Sequence, residues 1–392
     1  MDKIKCDVAV VGAGPGGSKA AKTCAKHGLK TVLVERRAGF GSRRFAQVSH
    51  RRIFDYIKAD DRFVDAKILG IKLISPDGTE LEMHEPKDFE LFFSIDRSVF
   101  DERMARLAVD AGAELMDGTS VTGLIRENGK IVGVIAKTDG GETEIRSDIV
   151  IDASGIESNF KNFKEADSCI EYLVDGLDLD RDYVHYRIGS GPFDYFYIVP
   201  KRDGRFAIDL FSTDQNSVTE DRMNLFIKEN FPEAKVIGKN HVAIPLGSKN
   251  NFTDGMMPVG DSAGFASPFF RFGLLSAMDS GDLAGETAVE AHEEKDFSSN
   301  ILSRYKERWQ RLYGKRNDAE YEVRTLLKGL SEKDINSLFH LLKDENEFFN
   351  DKFFKKIGKI KKAEIKKKKL DEESLFKEFG RYDRNIWDLF VR

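Results

Sequence analysis

The sequence predicts an α/β protein with a parallel-sheet domain, an inserted antiparallel-sheet domain and a helical C-terminal region. Three observations support this fold class. A strand, a glycine-rich turn, a helix and a second strand follow one another within the first 35 residues. Aromatic-rich, strand-like segments fill residues 156–250, and helical periodicity runs from Leu274 onward. At 392 residues the chain exceeds what one hydrophobic core usually organises, so two or three domains are expected.

The amino-terminal segment carries the most specific pattern. The apolar strand Val8–Val11 leads into the turn G-A-G-P-G-G, which begins at Gly12. In a G-x-G-x-x-G turn, Gly12 permits the tight bend, Gly14 lets the backbone approach a pyrophosphate, and Gly17 lets the helix pack closely on the strand. The helix N-terminus offers N–H groups to phosphate oxygens. Glu35 ends the second strand, where a carboxylate accepts hydrogen bonds from a ribose. The segment therefore predicts a Rossmann-like dinucleotide site.

A basic loop and a hairpin follow. Arg36–Arg52 is rich in arginine and glycine, which indicates a loop. The segments Ile71–Ser75 and Thr79–Met83 flank a Pro-Asp-Gly turn, a pattern typical of a β-hairpin. Phe89–Ile95 is predicted to be one more strand.

A helix, a meander and a buried strand complete the first domain. Ser98 is predicted to begin the helix, because Asp101 three residues later forms an Asp version of a capping box, and Gly112 is predicted to end it. The meander turns at Asn-Gly and Asp-Gly-Gly, and its strands are Val121–Ile125, Ile131–Lys137 and Glu142–Ile145. The apolar run Ile149–Ala153 suits a strand that is buried on both faces.

The aromatic-rich region predicts an antiparallel sheet with an apolar wall. Its strands are Tyr183–Ile188, Tyr195–Val199 and Phe206–Phe211. Because side chains alternate between the faces of a strand, Tyr195 and Tyr197 lie on one face and Phe196 and Ile198 on the other. The aromatic side chains are assigned either to the core or to the lining of a pocket.

The carboxyl-terminal part is helical and contains a basic segment. Met256–Asp261 returns to buried-strand character before the helices begin at Leu274. Residues 353–370 interleave lysines with apolar residues such as Phe354 and Ile360. A basic amphipathic helix of this kind contacts an anionic membrane surface, or it is a solvated helix that covers part of the protein. Both interpretations stay open.

Composition and spacing exclude several classes of protein. The net charge of −5 carries no signature of nucleic-acid binding, and no apolar run approaches the ~20 residues that span a bilayer. No signal peptide is expected before the first strand, and Cys6, Cys24 and Cys169 are too scattered for a disulfide framework. We expect a cytoplasmic protein with reduced cysteines, with contact at the inner face of the membrane left open. No metal-ligand spacing and no G-x-S-x-G elbow occur, so neither a metal nor a hydrolase is expected.

Four further segments resemble one family. Asp96–Asp101 is similar to the D-R-x-x-F-D element of FAD-dependent oxidoreductases of the hydroxylase type, and Pro258–Gly264 resembles their G-D-A-A-G element. Tyr195–Lys201 resembles the Y-x-W-x-F-P-K signature of the geranylgeranyl reductase family, with Tyr197 in place of Trp. The pattern Y-x-x-x-W-x-x-x-x-G that begins at Tyr305 is similar to one near the carboxyl terminus of that family. The chain is identified as a divergent member, and the resemblance covers nearly its whole length.

The resemblance implies a Rossmann-like FAD-binding domain with an inserted antiparallel-sheet substrate domain and a helical C-terminal region. The implied limits are 1–70, 96–155 and 251–295 for the FAD-binding domain, 71–95 and 156–250 for the substrate domain, and 296–392 for the helical region. The implied cofactor contacts are Gly12, Gly14, Gly16, Gly17, Glu35, Arg97, Val121, Asp261, Gly273 and Leu274. The implied substrate contacts are Tyr195, Tyr197 and Pro200.

The resemblance also implies a reaction. In such enzymes reduced FAD adds hydride from flavin N5, together with a proton, across isolated C=C bonds of prenyl chains, which in archaea belong to membrane ether lipids. The implied partners are an apolar prenyl-lipid substrate and an electron donor: ferredoxin, reduced deazaflavin or NAD(P)H. No catalytic side chain is assigned. Tyr197, His50 and a bound water are the alternatives for the proton donor.

The sequence departs from the family at two places. The family carries C-G-E-G after its second strand, where this chain has Phe45–Val48 with Ala46 in place of cysteine. Its P-x-[TN]-G-[EG]-G-I element corresponds to Pro268–Leu274, where Arg271 and Phe272 replace small or acidic residues. Bulky groups there narrow the space beside the flavin; alternatively, Arg271 stabilises an anionic reduced flavin. Two other functions stay open: a flavin-dependent monooxygenase or halogenase on the same scaffold, and a paralogue that binds FAD or lipid without catalysis.

Overall fold

The chain divides into two units by its internal contacts. The structure, a computed structural model, describes residues 2–39, 45–60, 62–84, 92–138, 140–158, 162–249 and 253–345. The first unit takes residues 1–43, 97–166 and 244–315, and the second takes 44–96, 167–243 and 316–392. Residues 44–70, which the sequence analysis assigns to the FAD-binding domain, thus fall in the second unit. The domain limits implied by the sequence stay a prediction.

A five-stranded parallel sheet forms the centre of the first unit. Its order is Met256–Pro258, Ile149–Asp152, Val8–Val11, Thr31–Val34 and Glu114–Met116. Every residue of the three central strands is buried, because both faces of the sheet are covered, as in doubly wound proteins. The predicted strand–turn–helix–strand unit is confirmed.

Helices cover one face of this sheet and a meander covers the other. The helices are Pro15–Lys26, Arg97–Asp110, Leu274–Glu294 and Ser299–Trp309. The meander is a four-stranded sheet in the order Asp2–Lys5, Gly141–Arg146, Lys130–Thr138 and Ser120–Glu127. Successive side chains of the strand Val8–Val11 point to opposite faces of the sheet. Val8 and Val10 pack with the helices, whereas Ala9 and Val11 pack with the meander. The three predicted meander strands are confirmed. The helix that was predicted to begin at Ser98 begins one residue earlier, at Arg97.

The residues of the carboxyl-terminal resemblance anchor the helix Ser299–Trp309. The Tyr305 hydroxyl donates to the Pro258 carbonyl oxygen at 2.7 Å. The Trp309 ring stacks on Phe265 with 3.5 Å between the ring centroids. Both anchors are buried, so this part of the pattern fixes the last helix of the first unit against its sheet. A short π-helix, Gln310–Gly314, follows.

A seven-stranded sheet organises the second unit. Its order is Lys235–Ser248, Phe163–Asp175, Phe206–Ser212, Tyr195–Pro200, Tyr183–Ile188, Gly70–Ile74 and Glu80–His84. The three predicted strands pair in antiparallel register at its centre. The predicted hairpin joins its edge through a parallel pair of Gly70–Ile74 with Tyr183–Ile188. A separate three-stranded sheet has the order Val48–His50, Phe92–Ile95 and Val64–Ile68.

Four strands of the second unit correct the sequence analysis, among them Val64–Ile68, which was not predicted. Val48–His50 lies within the predicted loop 36–52. The long strands Phe163–Asp175 and Lys235–Ser248 were not predicted. Their polar side chains interrupt the apolar alternation that signals a strand. Partners from other elements make two of these polar residues acceptable: Asn240 on a neighbouring strand bonds to Glu171, and Arg324 on a helix bonds to Asp167.

Helices complete the second unit. Glu220–Asn230 packs on one face of the large sheet, where Phe226 stacks on Phe196 with 3.6 Å between the ring centroids. The two further helices are Lys315–Leu327 and Glu332–Glu345. Arg324, which is fully buried, donates to both carboxylate oxygens of Asp167 at 2.6 and 2.7 Å. This ion pair ties the first of these helices to the strand Phe163–Asp175.

None of the helices within the described residues is long and apolar enough to cross a lipid bilayer. The basic segment 353–370, for which membrane contact was predicted, lies outside the described residues. The same is true of residues 89–91, the start of the predicted strand that the structure shows as Phe92–Ile95.

Candidate functional site

The glycine turn opens a cradle at the carboxyl end of the parallel sheet. Gly12 has a φ of +100°, and a β-carbon at Gly17 would lie 1.9 Å from the Gly12 carbonyl oxygen. Gly14 is the N-cap of the helix Pro15–Lys26. Apart from Gly14 and its two chain neighbours, no atom of the described residues lies within 4 Å of the point that a Gly14 β-carbon would take. Since the first N–H groups of a helix have no intrahelical acceptor, this open space fits a pyrophosphate.

Glu35 is held against the glycine turn. Its Oε2 accepts the Ala13 N–H at 2.9 Å, and its Oε1 accepts the Arg37 N–H at 3.0 Å. Each carboxylate oxygen has a second lone pair, so a ribose hydroxyl still finds an acceptor. The Thr119 N–H donates to the Glu35 carbonyl oxygen at 2.8 Å. This bond starts the strand that carries Val121 beside the acid.

Arg97 stands at the start of its helix in a buried ion pair. Its Nε and Nη2 donate to Asp101 Oδ1 and Oδ2 at 2.8 and 2.9 Å. The two side chains are only 12% and 7% exposed. Burial raises the pKa of Asp101, and the Arg97 guanidinium opposes that rise. The pair is therefore more than an exposed surface contact, and the role of Arg97 toward a cofactor stays a prediction.

Asp261 and Gly273 face each other where a second long helix begins. Asp261 lies in a short 3-10 turn after the strand Met256–Pro258. Gly273 is the N-cap of the helix Leu274–Glu294. A β-carbon at Gly273 would lie 3.3 Å from Asp261 Oδ1. The carboxylate thus reaches the helix N-terminus, and a larger residue at Gly273 would press on it.

Two glycines bring the two helices together. A β-carbon at Gly281 would lie 2.1 Å from the Gly16 carbonyl oxygen, and one at Gly16 would lie 2.9 Å from the Ala277 carbonyl oxygen. The Gly260 N–H donates to Ser280 Oγ at 3.0 Å. The crossing therefore fixes the glycine turn and the Asp261–Gly273 pair in one cradle.

Asp152 is a cradle-forming residue that the sequence analysis missed. It is fully buried at the end of its strand. Its carboxylate accepts the Ser154 N–H at 3.1 Å and the Ser158 hydroxyl at 2.6 Å. Burial raises the pKa of Asp152, and these bonds oppose the rise. The next residue, Ala153, sets its carbonyl oxygen against Gly12. The sequence did contain a signal that could have identified Asp152: an acidic residue at the end of a buried strand, followed closely by a Ser-Gly turn.

Arg271 shapes the loop between Asp261 and Gly273. Its φ is +61°, a conformation that costs residues other than glycine about 1–2 kcal/mol. The side chain is 6% exposed. The Arg271 N–H donates to the Ser267 carbonyl oxygen, and the Ser267 N–H donates to the Phe272 carbonyl oxygen, both at 2.9 Å. The departure from the family pattern therefore falls on a buried, left-handed position close to Gly273.

The predicted substrate residues lie on one strand of the second unit but not on one face. The Tyr186 ring centroid lies 5.3 Å from that of Tyr195 and 4.5 Å from that of Tyr197. Pro200 pairs with Phe206 and has the opposite parity, so it belongs to the other face. Burial raises the pKa of Tyr197 well above its usual value. Its phenol is therefore protonated at physiological pH.

His50 and Ala46 also belong to the second unit. Ala46 is buried. His50 Nδ1 accepts the Arg52 N–H at 3.1 Å. Burial lowers the pKa of His50 to about 3, and the charges of Arg52 and Arg51 add to this. The imidazole is therefore neutral at physiological pH, which weakens it as a proton donor.

Family models and related proteins show which class of protein this chain is similar to. Two models, each described as FAD dependent oxidoreductase, match residues 7–156 and 92–238. The chain is 33% identical over 359 residues to digeranylgeranylglycerophospholipid reductase 2 of Methanococcoides burtonii, and the alignment covers 87% of this chain and 88% of that protein. It is 34% identical over 364 residues to digeranylgeranylglycerophospholipid reductase of Methanosarcina mazei, covering 87% and 89%.

Solved structures share the fold. The crystal structure of a geranylgeranyl bacteriochlorophyll reductase-like protein from Thermoplasma acidophilum has a TM-score of 0.84 at 25% identity, and the match covers 95% of this chain and 100% of that one. The flavin-dependent brominase Bmp2 has a TM-score of 0.67 at 20% identity, with 86% and 93% covered. The second likeness shows the fold alone. The predicted fold class is confirmed.

Proposed function

Because the chain belongs to the geranylgeranyl reductase family of FAD-dependent oxidoreductases, we propose that it saturates C=C bonds in the prenyl chains of a membrane lipid. The relatives from M. burtonii and M. mazei are named for a digeranylgeranylglycerophospholipid. A prenylated glycerophospholipid is therefore the substrate class that we infer. One observation carries the proposal: the glycine turn, Glu35 and the Asp261–Gly273 pair meet in a single cradle.

We assign FAD to this cradle. The glycine turn and the helix N-terminus bind the pyrophosphate, with Arg97 as a further phosphate contact and Val121 on the adenine side. Glu35 accepts hydrogen bonds from the ribose. Asp261 binds the ribityl chain, and Gly273 and Leu274 let the backbone approach the flavin. When bound, reduced FAD supplies the hydride for the reduction of the alkene.

We assign the prenyl chain to the aromatic face of the second unit. Tyr195 and Tyr197 are buried and share this face with Tyr186. Pro200 pairs with Phe206 on the opposite face, so the contact with the chain is assigned to the two tyrosines. An unactivated alkene needs an apolar site that excludes water and holds the reacting carbon in position. Aromatic side chains provide such a surface.

The electron donor and the membrane contact complete the proposal. Ferredoxin, reduced deazaflavin and NAD(P)H are the three classes of donor, and each can be tested by its ability to reduce the bound FAD. The basic segment 353–370 is proposed to hold the protein at an anionic membrane surface, where a lipid substrate lies.

The test is anaerobic turnover with a defined lipid. Full-length protein with bound FAD is reduced with dithionite and incubated with a geranylgeranylated glycerophospholipid. We expect the lipid mass to rise by two hydrogen atoms for each saturated bond, and no change with oxidised FAD. An unchanged lipid mass beside bound, reduced FAD would contradict the proposal and favour a non-catalytic paralogue, to which Ala46, Arg271 and Phe272 point. A product that forms only with oxygen would favour a monooxygenase or halogenase.

A further inference from the structure

Three side chains that can ligate a metal ion converge at the amino end of the parallel sheet in the first unit. They are Asp7, Asp148 and His292, and one ligand atom from each lies within 4.8 Å of those of the other two. All three residues are partly exposed, so an ion can reach them from the solvent. We term these residues the Asp–Asp–His cluster.

The two aspartates are placed by neighbouring parallel strands. Asp7 directly precedes the strand that begins at Val8, and Asp148 directly precedes the strand that begins at Ile149; Val8 and Ile149 pair in register. The Asp148 N–H donates to the Asp7 carbonyl oxygen at 3.1 Å. Backbone pairing therefore holds the two carboxylates side by side, at the edge of the sheet opposite the glycine turn.

The histidine is placed by the long helix that begins in the cradle. His292 lies in the last turn of the helix Leu274–Glu294. Ala288 and Ala291 of this helix share a hydrophobic core with Val8 of the sheet. The carboxyl end of a helix carries partial negative charge, which favours a bound cation. Since an α-helix rises about 1.5 Å per residue, His292 lies about 27 Å from the first residue of the helix. The cluster is thus far from the cradle.

The cluster has unused capacity to bind a cation. Asp7 Oδ2 accepts the Lys30 N–H at 2.7 Å, which leaves Oδ1 and further lone pairs. Among the described residues, no hydrogen bond or ion pair engages the Asp148 carboxylate or the His292 imidazole. Two neighbouring carboxylates repel each other, and a cation between them removes that repulsion.

Cys6 precedes Asp7 but is not counted as a ligand. Burial raises the pKa of its thiol to about 12, and the charges of Asp7 and Asp148 add to the rise. Its Sγ lies 3.6 Å from the Arg146 carbonyl oxygen, to which it donates. Because the thiolate is the form that binds a metal, the donor set consists of two carboxylates and one imidazole.

We propose that Asp7, Asp148 and His292 bind one Zn²⁺ ion, which fastens the helix Leu274–Glu294 to the amino edge of the sheet. Imidazole beside carboxylates suits Zn²⁺, whereas Mg²⁺ and Ca²⁺ prefer oxygen ligands. Bonds from Zn²⁺ to O or N are about 2.1 Å long, so ligand atoms around one ion lie about 3–4 Å apart and these side chains must close by about 1 Å. Water takes the fourth position of the tetrahedral ion. The sequence analysis expected no metal, because ligand spacing is a local pattern and these residues come from distant segments.

Binding is tested on the full-length, FAD-loaded protein after treatment with EDTA and removal of the chelator. Calorimetric titration should give one Zn²⁺ site per chain. Zn²⁺ at 100 times its dissociation constant should lower the unfolding equilibrium constant about 100-fold, which raises the midpoint of thermal unfolding. Mg²⁺ at the same concentration should leave the midpoint unchanged, and an equal rise with Mg²⁺ would contradict a site that uses imidazole.

Variants locate the site. His292→Ala and Asp148→Asn should each weaken Zn²⁺ binding by at least the ~10–100-fold that loss of an outer partner of a metal ligand costs, while binding the parental amount of FAD. Co²⁺ gives a direct readout of ligation, because the visible absorption bands of the tetrahedral ion should appear in the parent and not in these variants. Glu293→Gln and His241→Ala remove an exposed neighbour and an exposed histidine of the second unit. Both controls should keep parental Zn²⁺ affinity.

Three outcomes would overturn the inference. They are a parent that binds no Zn²⁺, parental affinity in both His292→Ala and Asp148→Asn, and an equal loss in His241→Ala. Cys6→Ala should keep the affinity and the Co²⁺ bands, and their loss would show that the donor set is wrong. Circular dichroism identifies a variant that fails to fold, in which case the other ligand variant decides. No measurement involves a lipid, so the result is independent of the proposed function.

Discussion

At the scale of single residues, a substitution at Gly14 should separate cofactor binding from folding. Its φ of −68° and ψ of 177° suit alanine, and outside its two chain neighbours no described residue has an atom within 4 Å of the added β-carbon. Gly14→Ala should therefore keep the thermal stability of the cofactor-free protein. The methyl group occupies space assigned to the pyrophosphate, so FAD affinity should fall about tenfold or more, which is ~1.4 kcal/mol. Titration of flavin fluorescence measures the affinity.

Gly191 offers a matched control for this substitution. It also has open space around its β-carbon position, and it lies in a loop of the second unit. Gly191→Ala should bind FAD as the parent does. If Gly14→Ala binds FAD with parental affinity too, the assignment of the pyrophosphate to this turn is wrong.

His50 makes stability depend on pH. Its pKa in the folded protein is about 3, against 6.5 for an ordinary histidine. As the pH falls below about 6.5 the unfolded chain binds a proton that the folded protein refuses. The contribution of His50 to stability is therefore complete above that pH and is lost as the pH falls toward 3. The slope is at most about 1.4 kcal/mol per pH unit for one proton.

The His50→Asn variant isolates this effect. Asparagine keeps an acceptor for the Arg52 N–H but does not titrate. Urea unfolding between pH 7 and pH 4.5 should show a smaller loss of unfolding free energy in the variant than in the parent. Curves of equal slope in both proteins would contradict a neutral, buried imidazole.

Arg271 tests whether backbone strain is stored beside Gly273. At a φ of +61° glycine avoids a cost of about 1–2 kcal/mol that alanine pays. Arg271→Gly and Arg271→Ala both remove the guanidinium, so their difference reports the backbone alone. We expect the glycine variant to be more stable by about 1 kcal/mol in thermal or urea unfolding. Equal stability would show that this loop relaxes without cost.

The sequence predicted those cradle residues whose role depends on their neighbours in the chain. Gly12 and Glu35 were predictable because turn, helix and strand lie next to each other in the chain, and Asp261 because its neighbours resemble a known element. Asp152 was not predictable in this way. A buried acid is acceptable only with partners such as Ser158, and those partners come from the fold rather than from adjacent positions.

At the scale of elements, the crossing of Pro15–Lys26 with Leu274–Glu294 depends on glycine. Gly281→Ala would set a β-carbon 2.1 Å from the Gly16 carbonyl oxygen, so the helices must move apart. We expect a loss of about 1–3 kcal/mol of unfolding free energy from overpacking and a lower FAD affinity, because the crossing positions the cradle. Glu286→Ala, at an exposed position of the same helix, should change stability by less than about 0.5 kcal/mol. Parental stability in Gly281→Ala would show that the two helices are not in close contact.

Periodicity predicted the elements whose partners are local. The helix at Arg97–Asp110 and the three meander strands were found because their neighbours are adjacent in the chain. Phe163–Asp175 was missed, because Glu165, Asp167 and Glu171 interrupt its apolar alternation. Arg324 and Asn240 make two of these acids acceptable, and both lie far away in the sequence. Elements such as this strand, whose polar residues have partners far away in the sequence, are therefore not predicted by hydrophobic periodicity.

At the scale of the whole molecule, the sequence predicts two kinds of domain, and adjacency in the chain assigns residues 44–70 to the first of them. Residues 44–70 follow the βαβ unit in the chain, yet their strands pair with Phe92–Ile95 and count with the second unit. A strand joins the sheet that offers it a partner, and adjacency in sequence does not identify that partner.

The proposed membrane contact of the basic segment 353–370 can be tested on the whole molecule. Each lysine near an anionic surface contributes about 1 kcal/mol, and salt screens the attraction. Replacing Lys366–Lys369 by glutamine should therefore lower binding to vesicles of anionic lipid at least tenfold, as measured by cosedimentation at low salt. Neutral vesicles and high salt should abolish the difference. The control replaces four exposed lysines that lie elsewhere, which are Lys5, Lys30, Lys67 and Lys228. It makes the same change in net charge, so equal losses in both variants would attribute binding to net charge rather than to this segment.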